Sequence, residues 1–122
     1  MAKRILVIDD EKHIRMLYQE ELESHGYKVF TSDGSDSVGS LLSRSDPDAV
    51  ILDIKLGGEQ SGLDILQEIR ARDNDVPVIL CTAYDSFQHD LKSIAADYYV
   101  VKSVDLTELM DKVKKAIAGS GK

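Results

Sequence analysis

Short apolar runs alternate along the chain with longer stretches of helical periodicity, and this alternation constrains the fold more than any other feature. The expected strands lie at residues 4–9, 27–32, 48–53, 76–83 and 98–102. The expected helices lie at residues 11–25, 34–45 and 86–96, with a further helix opened by Ser61 and a last one opened by Asp105. Strands that alternate with helices form a parallel sheet with right-handed crossovers and helices on both faces. The sequence therefore predicts a doubly wound α/β fold with five strands, in the order 2-1-3-4-5, and five helices.

Length and charge limit the classes of function that are open to the chain. Its 122 residues fit one domain, which we place at residues 1–118, followed by a flexible tail or the start of a linker at residues 119–122. Lysine and arginine number 15, against 22 aspartate and glutamate residues, so the net charge is −7. An acidic domain without a basic stripe is a poor binder of nucleic acid or of an anionic membrane surface.

The single cysteine and the shortness of the apolar runs indicate where the protein works. Cys81 has no partner cysteine in the sequence, which excludes an internal disulfide and suits a reducing compartment. The first apolar run is too short for a signal peptide, and no run approaches the ~20 apolar residues of a membrane span. We therefore expect a cytoplasmic protein without a membrane partner, in which Cys81 is a buried structural thiol.

Polar side chains stand at the carboxyl ends of four of the expected strands. The first strand ends in Asp9 and Asp10, the third in Asp53, the fourth in Thr82 and the fifth in Lys102. Ligands of open α/β sheets bind beyond the carboxyl ends of the strands, near the point where the strand order reverses. In the order 2-1-3-4-5 these four strands are neighbours, so three carboxylates, a hydroxyl and an ammonium group are expected to converge.

Such a group of side chains has a chemical use. Three carboxylates repel one another, and a hard divalent cation with oxygen ligands, Mg²⁺ or Mn²⁺, would relieve that repulsion. A carboxylate beside such an ion can act as a nucleophile and accept a phosphoryl group as an acyl phosphate. The ion and the Lys102 ammonium would stabilise the phosphoryl charge during transfer, and Thr82 could donate a hydrogen bond to a phosphoryl oxygen. The strand ends therefore predict a metal site that supports phosphoryl transfer.

The same residues resemble those of a known family. Taken in order, the segments VIDDE, LDI, CTA and YYVVK resemble the receiver domains of two-component response regulators, over nearly the whole chain. The resemblance implies a flavodoxin-like fold and a phosphoacceptor at Asp53. It further implies a Mg²⁺ site formed by Asp9, Asp10, Asp53 and the backbone carbonyl of Lys55.

The resemblance also implies partners and a switching surface. A phosphohistidine of a sensor histidine kinase or of a histidine phosphotransfer domain would donate the phosphoryl group, and Thr82 and Lys102 would contact it. Thr82 and Tyr99 would pass the change to the surface formed by the helix at 86–96, the fifth strand and the fifth helix. A downstream protein or output domain of unknown identity would read that surface, and the family allows a dimer that forms on phosphorylation. The chain is then a phosphoacceptor that assists its own phosphorylation and dephosphorylation, not an enzyme with a separate substrate.

Three positions depart from the family's pattern. The proline that is usual four residues after the phosphoacceptor is Gly57 here, and the loop is one residue longer, because Gly62 lies nine residues after Asp53 rather than eight. The proline that is usual after the lysine is Ser103. A cis peptide without proline costs about 2.5–4 kcal/mol, so we expect a trans bond between Lys102 and Ser103.

Other interpretations account for some of the same residues. Asp9 and Asp10 could simply cap the first helix, but a helix cap gives no reason for Asp53. A pseudo-receiver, which binds partners without taking phosphate, stays open as an alternative, although every expected group is present. An aspartyl-phosphate phosphatase of the haloacid dehalogenase type needs Asp-x-Asp at the carboxyl end of a strand. The two such triplets in this chain, at 46–48 and 73–75, precede strands instead.

Overall fold

The computed structural model describes residues 2–53, 62–73, 75–82, 97–101 and 105–120. The side chains of residues 62, 63, 82, 119 and 120 are not part of that description. The loop after Asp53, the helix expected at 86–96 and the peptide between Lys102 and Ser103 lie outside the described residues. Expectations placed on those segments therefore stay predictions, as does the boundary between the domain and its tail at residue 118.

Five parallel strands form one sheet, and helices cover both of its faces. The strands are β1 (Arg4–Ile8), β2 (Lys28–Ser32), β3 (Ala49–Asp53), β4 (Val78–Thr82) and β5 (Tyr98–Val101). The described helices are α1 (Lys12–Ser24), α2 (Val38–Ser45), α3 (Gly62–Arg72) and α4 (Thr107–Ser120), the last of which is the fifth helix expected from the sequence. The strand order is β2-β1-β3-β4-β5, so the predicted order and the doubly wound class are confirmed. In this part of the chain no helix combines the length and the hydropathy that a membrane crossing needs.

Alternate residues of the central strands enter two separate hydrophobic layers. Leu6 and Ile8 of β1 pack on the side of the sheet that α2 and α3 cover. Ile5 and Val7 pack on the other side, with residues of α1 and α4. Every residue of β3 is buried as well. Strands covered on both faces are typical of parallel sheets, and they explain why these two runs are apolar without interruption.

Helix α1 ends at a glycine in the left-handed region, as its sequence predicts. Gly26 has a φ angle of 89°. Its N–H donates to the carbonyl of Glu23 at 3.0 Å, and the N–H of Tyr27 donates to the carbonyl of Leu22 at 3.2 Å. These two bonds form a Schellman motif, which satisfies carbonyls that the end of a helix would leave free. The motif turns the chain from α1 into β2.

Helix α2 begins at Val38, later than the helix predicted at residues 34–45. The Ser37 hydroxyl accepts a hydrogen bond from the N–H of Ser40 at 3.2 Å and so caps the helix. Before this cap, the Asp33 carboxylate accepts the N–H two residues further on, at 2.9 Å. Side chains that bond to the nearby backbone in this way compete with helix formation, so the predicted start was wrong by about one turn.

An ion pair joins α3 to the amino ends of β4 and β5. Arg70 Nη2 lies 2.8 Å from Asp97 Oδ2, and the same oxygen accepts the N–H of Val78 at 2.9 Å. Arg70 Nη1 also donates to the carbonyl of Val76, at 2.5 Å. These bonds hold the amino ends of the two strands, at the edge of the sheet opposite to the one where Asp53 lies.

Candidate functional site

Three carboxylates meet where β1 and β3 end. Ile8 pairs with Leu52, so Asp9 and Asp53 follow that pair on adjacent strands. One carboxylate oxygen from each of Asp9, Asp10 and Asp53 lies within 4.8 Å of the other two. Asp9 and Asp53 are only 2% and 3% exposed, whereas Asp10 is exposed. The structure thus brings together the three acids that the strand ends suggested, with one of them open to solvent.

Hydrogen bonds fix both the main chain and the side chain of Asp9. Its N–H donates to the carbonyl of Ser32 at 3.0 Å, and its own carbonyl accepts from Arg15 Nη1 at 2.6 Å. Asp9 Oδ1 accepts the N–H of Glu11 at 2.9 Å. Glu11 is the N-cap of α1, and its side chain makes no capping bond. The Asp9 carboxylate therefore supports the turn before α1, but this role gives no reason for two further acids beside it.

A buried tyrosine and a buried cysteine lie near the two buried acids of the cluster. Tyr18 of α1 and Cys81 of β4 are each 1% exposed and belong to the same buried layer. Cys81 is the register partner of Asp53. Burial raises the pKa of the Tyr18 phenol far above its usual value of 10.0, and the nearby Cys81, Asp9 and Asp53 raise it further. The phenol is therefore neutral, and it adds no charge near the acids.

The structure places some of the other predicted site residues and leaves others out. Thr82 is the last residue of β4, directly after the register partner of Asp53. Tyr99 packs against the layer covered by α2 and α3, and Tyr98 packs against the opposite layer, as the period of a strand requires. Lys55, Lys102 and the side chain of Thr82 lie outside the described residues.

Comparison with known proteins assigns this fold and its acidic edge to a family. The family model described as response regulator receiver domain matches residues 5–114. The chain belongs to this family. The match includes β1 from its second residue onward with the two following acids, β3 with Asp53, and the first eight residues of α4. The sequence resemblance is thus confirmed.

Several solved structures resemble this receiver domain. The response regulator protein TrrA from Thermotoga maritima, solved in complex with Mg²⁺-BeF, is 46% identical, with 93% of this chain and 98% of that chain covered and a TM-score of 0.84. A response regulator receiver domain protein from Clostridium thermocellum is 32% identical, with 99% and 98% covered and a TM-score of 0.84. NtrX from Brucella abortus is 28% identical with a TM-score of 0.90, and 99% of this chain matches only 28% of that longer chain.

The donor set of the receiver domain fits a hard divalent cation. Carboxylate oxygens are the ligands that Mg²⁺ and Mn²⁺ prefer, and Mg²⁺ commonly takes one or two protein carboxylates and fills its other positions with water and phosphate oxygens. The exposed Asp10 leaves one side of the cluster open to an incoming ion and to a phosphoryl group.

Sequence reasoning missed three residues that lie near Asp9. Ser32 is 5% exposed, ends β2, and donates from its hydroxyl to Asp36 Oδ2 at 2.9 Å. The rule that singled out the other strand ends could have found it, because β2 is the neighbour of β1. Arg15 and Tyr18 carry no such signal, because their contacts depend on how α1 packs against the sheet.

Proposed function

We propose that this receiver domain accepts a phosphoryl group on the carboxylate of Asp53 in a reaction that depends on Mg²⁺. The observation that carries the proposal is the convergence of Asp9, Asp10 and Asp53, with oxygens within 4.8 Å of one another. Asp53 is buried at the end of a strand that is covered on both faces. It is therefore held in one position, which favours an in-line attack on phosphorus.

In the proposed reaction a carboxylate oxygen of Asp53 forms a bond to phosphorus while the P–N bond of a phosphohistidine breaks. The released imidazole takes up a proton, and the product is an acyl phosphate. Asp9, Asp10, Asp53 and the backbone carbonyl of Lys55 would hold Mg²⁺, or Mn²⁺ in its place. The bound ion supplies positive charge beside the transferred oxygens. The Mg²⁺-BeF complex of the similar protein TrrA supports this choice of ion.

The phosphoryl group on Asp53 is then expected to change the structure on the side of β4 that faces away from β3. Thr82 and Lys102 are the proposed contacts of its oxygens, and Thr82 and Tyr99 are the proposed switch residues. Tyr99 is half-buried at the edge strand β5, so a change of its side chain would alter the surface of β5, the helix expected at 86–96 and α4. Hydrogen exchange should differ there between the phosphorylated and unphosphorylated protein, and identical exchange would argue against a switch at this surface.

The phosphodonor is proposed to be a sensor histidine kinase or a histidine phosphotransfer domain, in the cytoplasm. A groove between α1 and α4 offers it a surface whose lining includes the apolar Leu17, Leu106 and Met110 and several charged side chains, among them Glu21, Asp111 and Lys114. Leu17 is 37% exposed and its neighbour Met16 60%, although both are large apolar side chains. A partner that delivers phosphohistidine to Asp53 would bury this apolar surface.

The proposed docking surface can be tested separately from the chemistry. Leu17→Lys should slow phosphotransfer from the kinase by about tenfold, because it places a charge where apolar contact is expected. The rate with a small-molecule phosphodonor should stay as in the wild type. Equal slowing with both donors would place Leu17 in the folding of the domain and not in docking. We further propose that a downstream protein or output domain reads the switch and that a dimer forms on phosphorylation. Testing these two proposals requires the cognate partners.

The phosphoacceptor function is tested by intact mass. The wild type incubated with a small phosphodonor and Mg²⁺ should gain the mass of one phosphoryl group, and chelation of the metal should abolish the gain. Asp53→Asn should gain nothing, because an amide is a poor nucleophile. A wild type that binds Mg²⁺ but never gains this mass would be the pseudo-receiver. A chain that releases phosphate from many phosphate esters would be the phosphatase.

Metal binding has a readout of its own, thermal stability. Millimolar Mg²⁺ should raise the melting temperature of the wild type, because a ligand that binds only the folded state stabilises it by mass action. Asp10→Asn should weaken this response, since it removes one carboxylate without disturbing a buried residue. A melting temperature that does not respond to Mg²⁺ in the wild type would count against the metal site.

A further inference from the structure

One cationic side chain is bonded directly to the main chain of the metal site. Arg15 lies one turn into α1 and is half-buried. Its Nη1 donates to the carbonyl of Asp9 at 2.6 Å, which is short for a bond of this type. The carbonyl of Asp9 belongs to the peptide that leads into Asp10. Arg15 therefore bonds to the peptide that joins two of the three clustered acids.

The same guanidinium group also acts electrostatically on a carboxyl group in the loop that follows β2. Hydrogen bonds from Ser35 lower the pKa of the Asp33 carboxyl below its usual value, and the nearby Arg15 lowers it further. The residue before Asp33 is Ser32, whose carbonyl accepts the N–H of Asp9. The N–H of Asp9 is thus held by the carbonyl of Ser32, and the carbonyl of Asp9 is held by Arg15.

A cation this close to a metal site affects the affinity for Mg²⁺ in two opposite ways. Its positive charge repels Mg²⁺, so Coulomb's law alone predicts that removing the charge would tighten Mg²⁺ binding. Its hydrogen bond orients the Asp9–Asp10 peptide, so geometry alone predicts that removing the group would weaken binding. Groups that orient metal ligands commonly contribute about 10–100-fold to affinity, and exposed charges are partly screened by solvent and salt.

We propose that Arg15 is a positioning residue of the metal site, and that its effect on geometry outweighs its charge. By holding the Asp9 carbonyl it keeps the carboxylates of Asp9 and Asp10 directed toward Asp53. The inference rests on the Mg²⁺ site proposed above. It assigns Arg15 no contact with the ion or with the phosphoryl group.

The test is a calorimetric titration of the purified, unphosphorylated protein with MgCl₂. Arg15→Gln should weaken Mg²⁺ binding by about tenfold, even though it removes a positive charge beside the site. Arg15→Lys keeps the charge but replaces the planar guanidinium by an ammonium group, so a weaker affinity in that variant reports geometry alone. Arg44→Gln, which removes a positive charge from the last turn of α2, is the matched control and should bind as the wild type does.

Several outcomes would overturn the proposal. Tighter binding in Arg15→Gln would show that charge dominates, and unchanged binding in both Arg15 variants would show that the bond to Asp9 has no effect on the site. A high salt concentration screens the effect of the charge but not that of the geometry. The loss of Mg²⁺ affinity in Arg15→Gln, relative to the wild type at the same salt concentration, should therefore grow at high salt. A loss that disappears at high salt also contradicts the proposal. Melting curves in a chelator show whether each variant is folded. If Arg15→Gln does not fold, the Mg²⁺ affinity of Arg15→Lys tests the proposal. A wild type that fails to bind Mg²⁺ would instead refute the metal site itself.

Discussion

Tyr18 of α1 and Cys81 of β4 lie in the same buried layer beside the phosphoacceptor strand, and the thiol is near enough to raise the pKa of the phenol. Cys81 pairs in register with Asp53, and the next residue along β4 is Thr82. We expect the phenol to donate a hydrogen bond to the sulfur, which would join the helix that follows the first two acids to the strand that carries the proposed phosphoryl contact. Both partners are 1% exposed, so water does not readily replace either of them.

Tyr18→Phe should lower the free energy of unfolding by about 0.5–1.5 kcal/mol, the usual contribution of one hydrogen bond, because it removes the expected bond to Cys81. Urea denaturation of Tyr18→Phe, Cys81→Ala and the double variant measures the coupling between the two side chains. We expect the double variant to lose less than the sum of the single variants, because both remove the same bond. Strict additivity would mean that the bond contributes nothing to stability.

Gly26→Ala should destabilise the domain by about 1–2 kcal/mol, because a residue with a Cβ atom is strained in the left-handed region. No heavy atom lies within 4 Å of the position that this Cβ would occupy, so the backbone angle and not a clash sets the cost. Gly26→Asn, which tolerates this region better, should lose less in the same urea experiment. Equal losses for alanine and asparagine would point to another cause.

Gly39→Ala should change the free energy of unfolding in the opposite direction. It should stabilise the domain by about 0.5–1 kcal/mol, because alanine is more favourable than glycine inside a helix. The new Cβ would lie 2.7 Å from Nη1 of Arg72, the far end of a flexible side chain. Arg72 is 54% exposed and can move away. Denaturation of Gly39→Ala with and without Arg72→Ala measures what this movement costs. A destabilised Gly39→Ala that Arg72→Ala does not rescue would contradict this account.

Asp105 should make the stability of α4 depend on pH. Hydrogen bonds from the hydroxyl and the N–H of Thr107 lower the pKa of Asp105 below its usual value of 3.8. Because the pKa of Asp105 is lower in the folded than in the unfolded protein, its carboxylate stabilises the fold at pH values above the unfolded-state pKa. This contribution is lost as the pH falls through the folded-state pKa. Asp105→Ala should therefore be less stable than the wild type near neutral pH, and the difference should shrink below about pH 4.

The check on Asp105 is urea denaturation of both proteins across that range of pH. Asp111→Ala serves as the control in the same helix, since Asp111 makes only an exposed ion pair with Lys115, at 3.1 Å. Such pairs contribute little, so this variant should differ from the wild type by at most a few tenths of a kcal/mol at neutral pH. A difference between the wild type and Asp105→Ala that stays constant down to low pH would contradict the assignment.

The sequence was informative where local pattern decides structure and uninformative where packing does. The unbroken apolar runs of β1 and β3 predicted buried parallel strands, and their ends predicted where Asp9, Asp10 and Asp53 meet. The start of α2 was missed because serine and aspartate side chains bond to the backbone before Val38.

The contacts that support the site could not be read from the sequence. Arg15 reaches the carbonyl of Asp9, and Tyr18 reaches Cys81, only because α1 packs against the sheet at one particular angle. Neither residue belongs to a short motif, and each occupies a helical position that many side chains could fill. Their importance becomes visible when the distances between elements are known.

The most direct test of the central claim is chemical mapping of the phosphorylated residue. The wild type is phosphorylated with a small phosphodonor in the presence of Mg²⁺, reduced with borohydride, digested and sequenced by mass spectrometry. Because borohydride converts an aspartyl phosphate to homoserine, we predict homoserine at position 53, and none in a parallel sample that contains a metal chelator. Homoserine at position 9 or 10 in place of position 53, or no homoserine in a protein that binds Mg²⁺, would contradict the assignment of Asp53 as the phosphoacceptor.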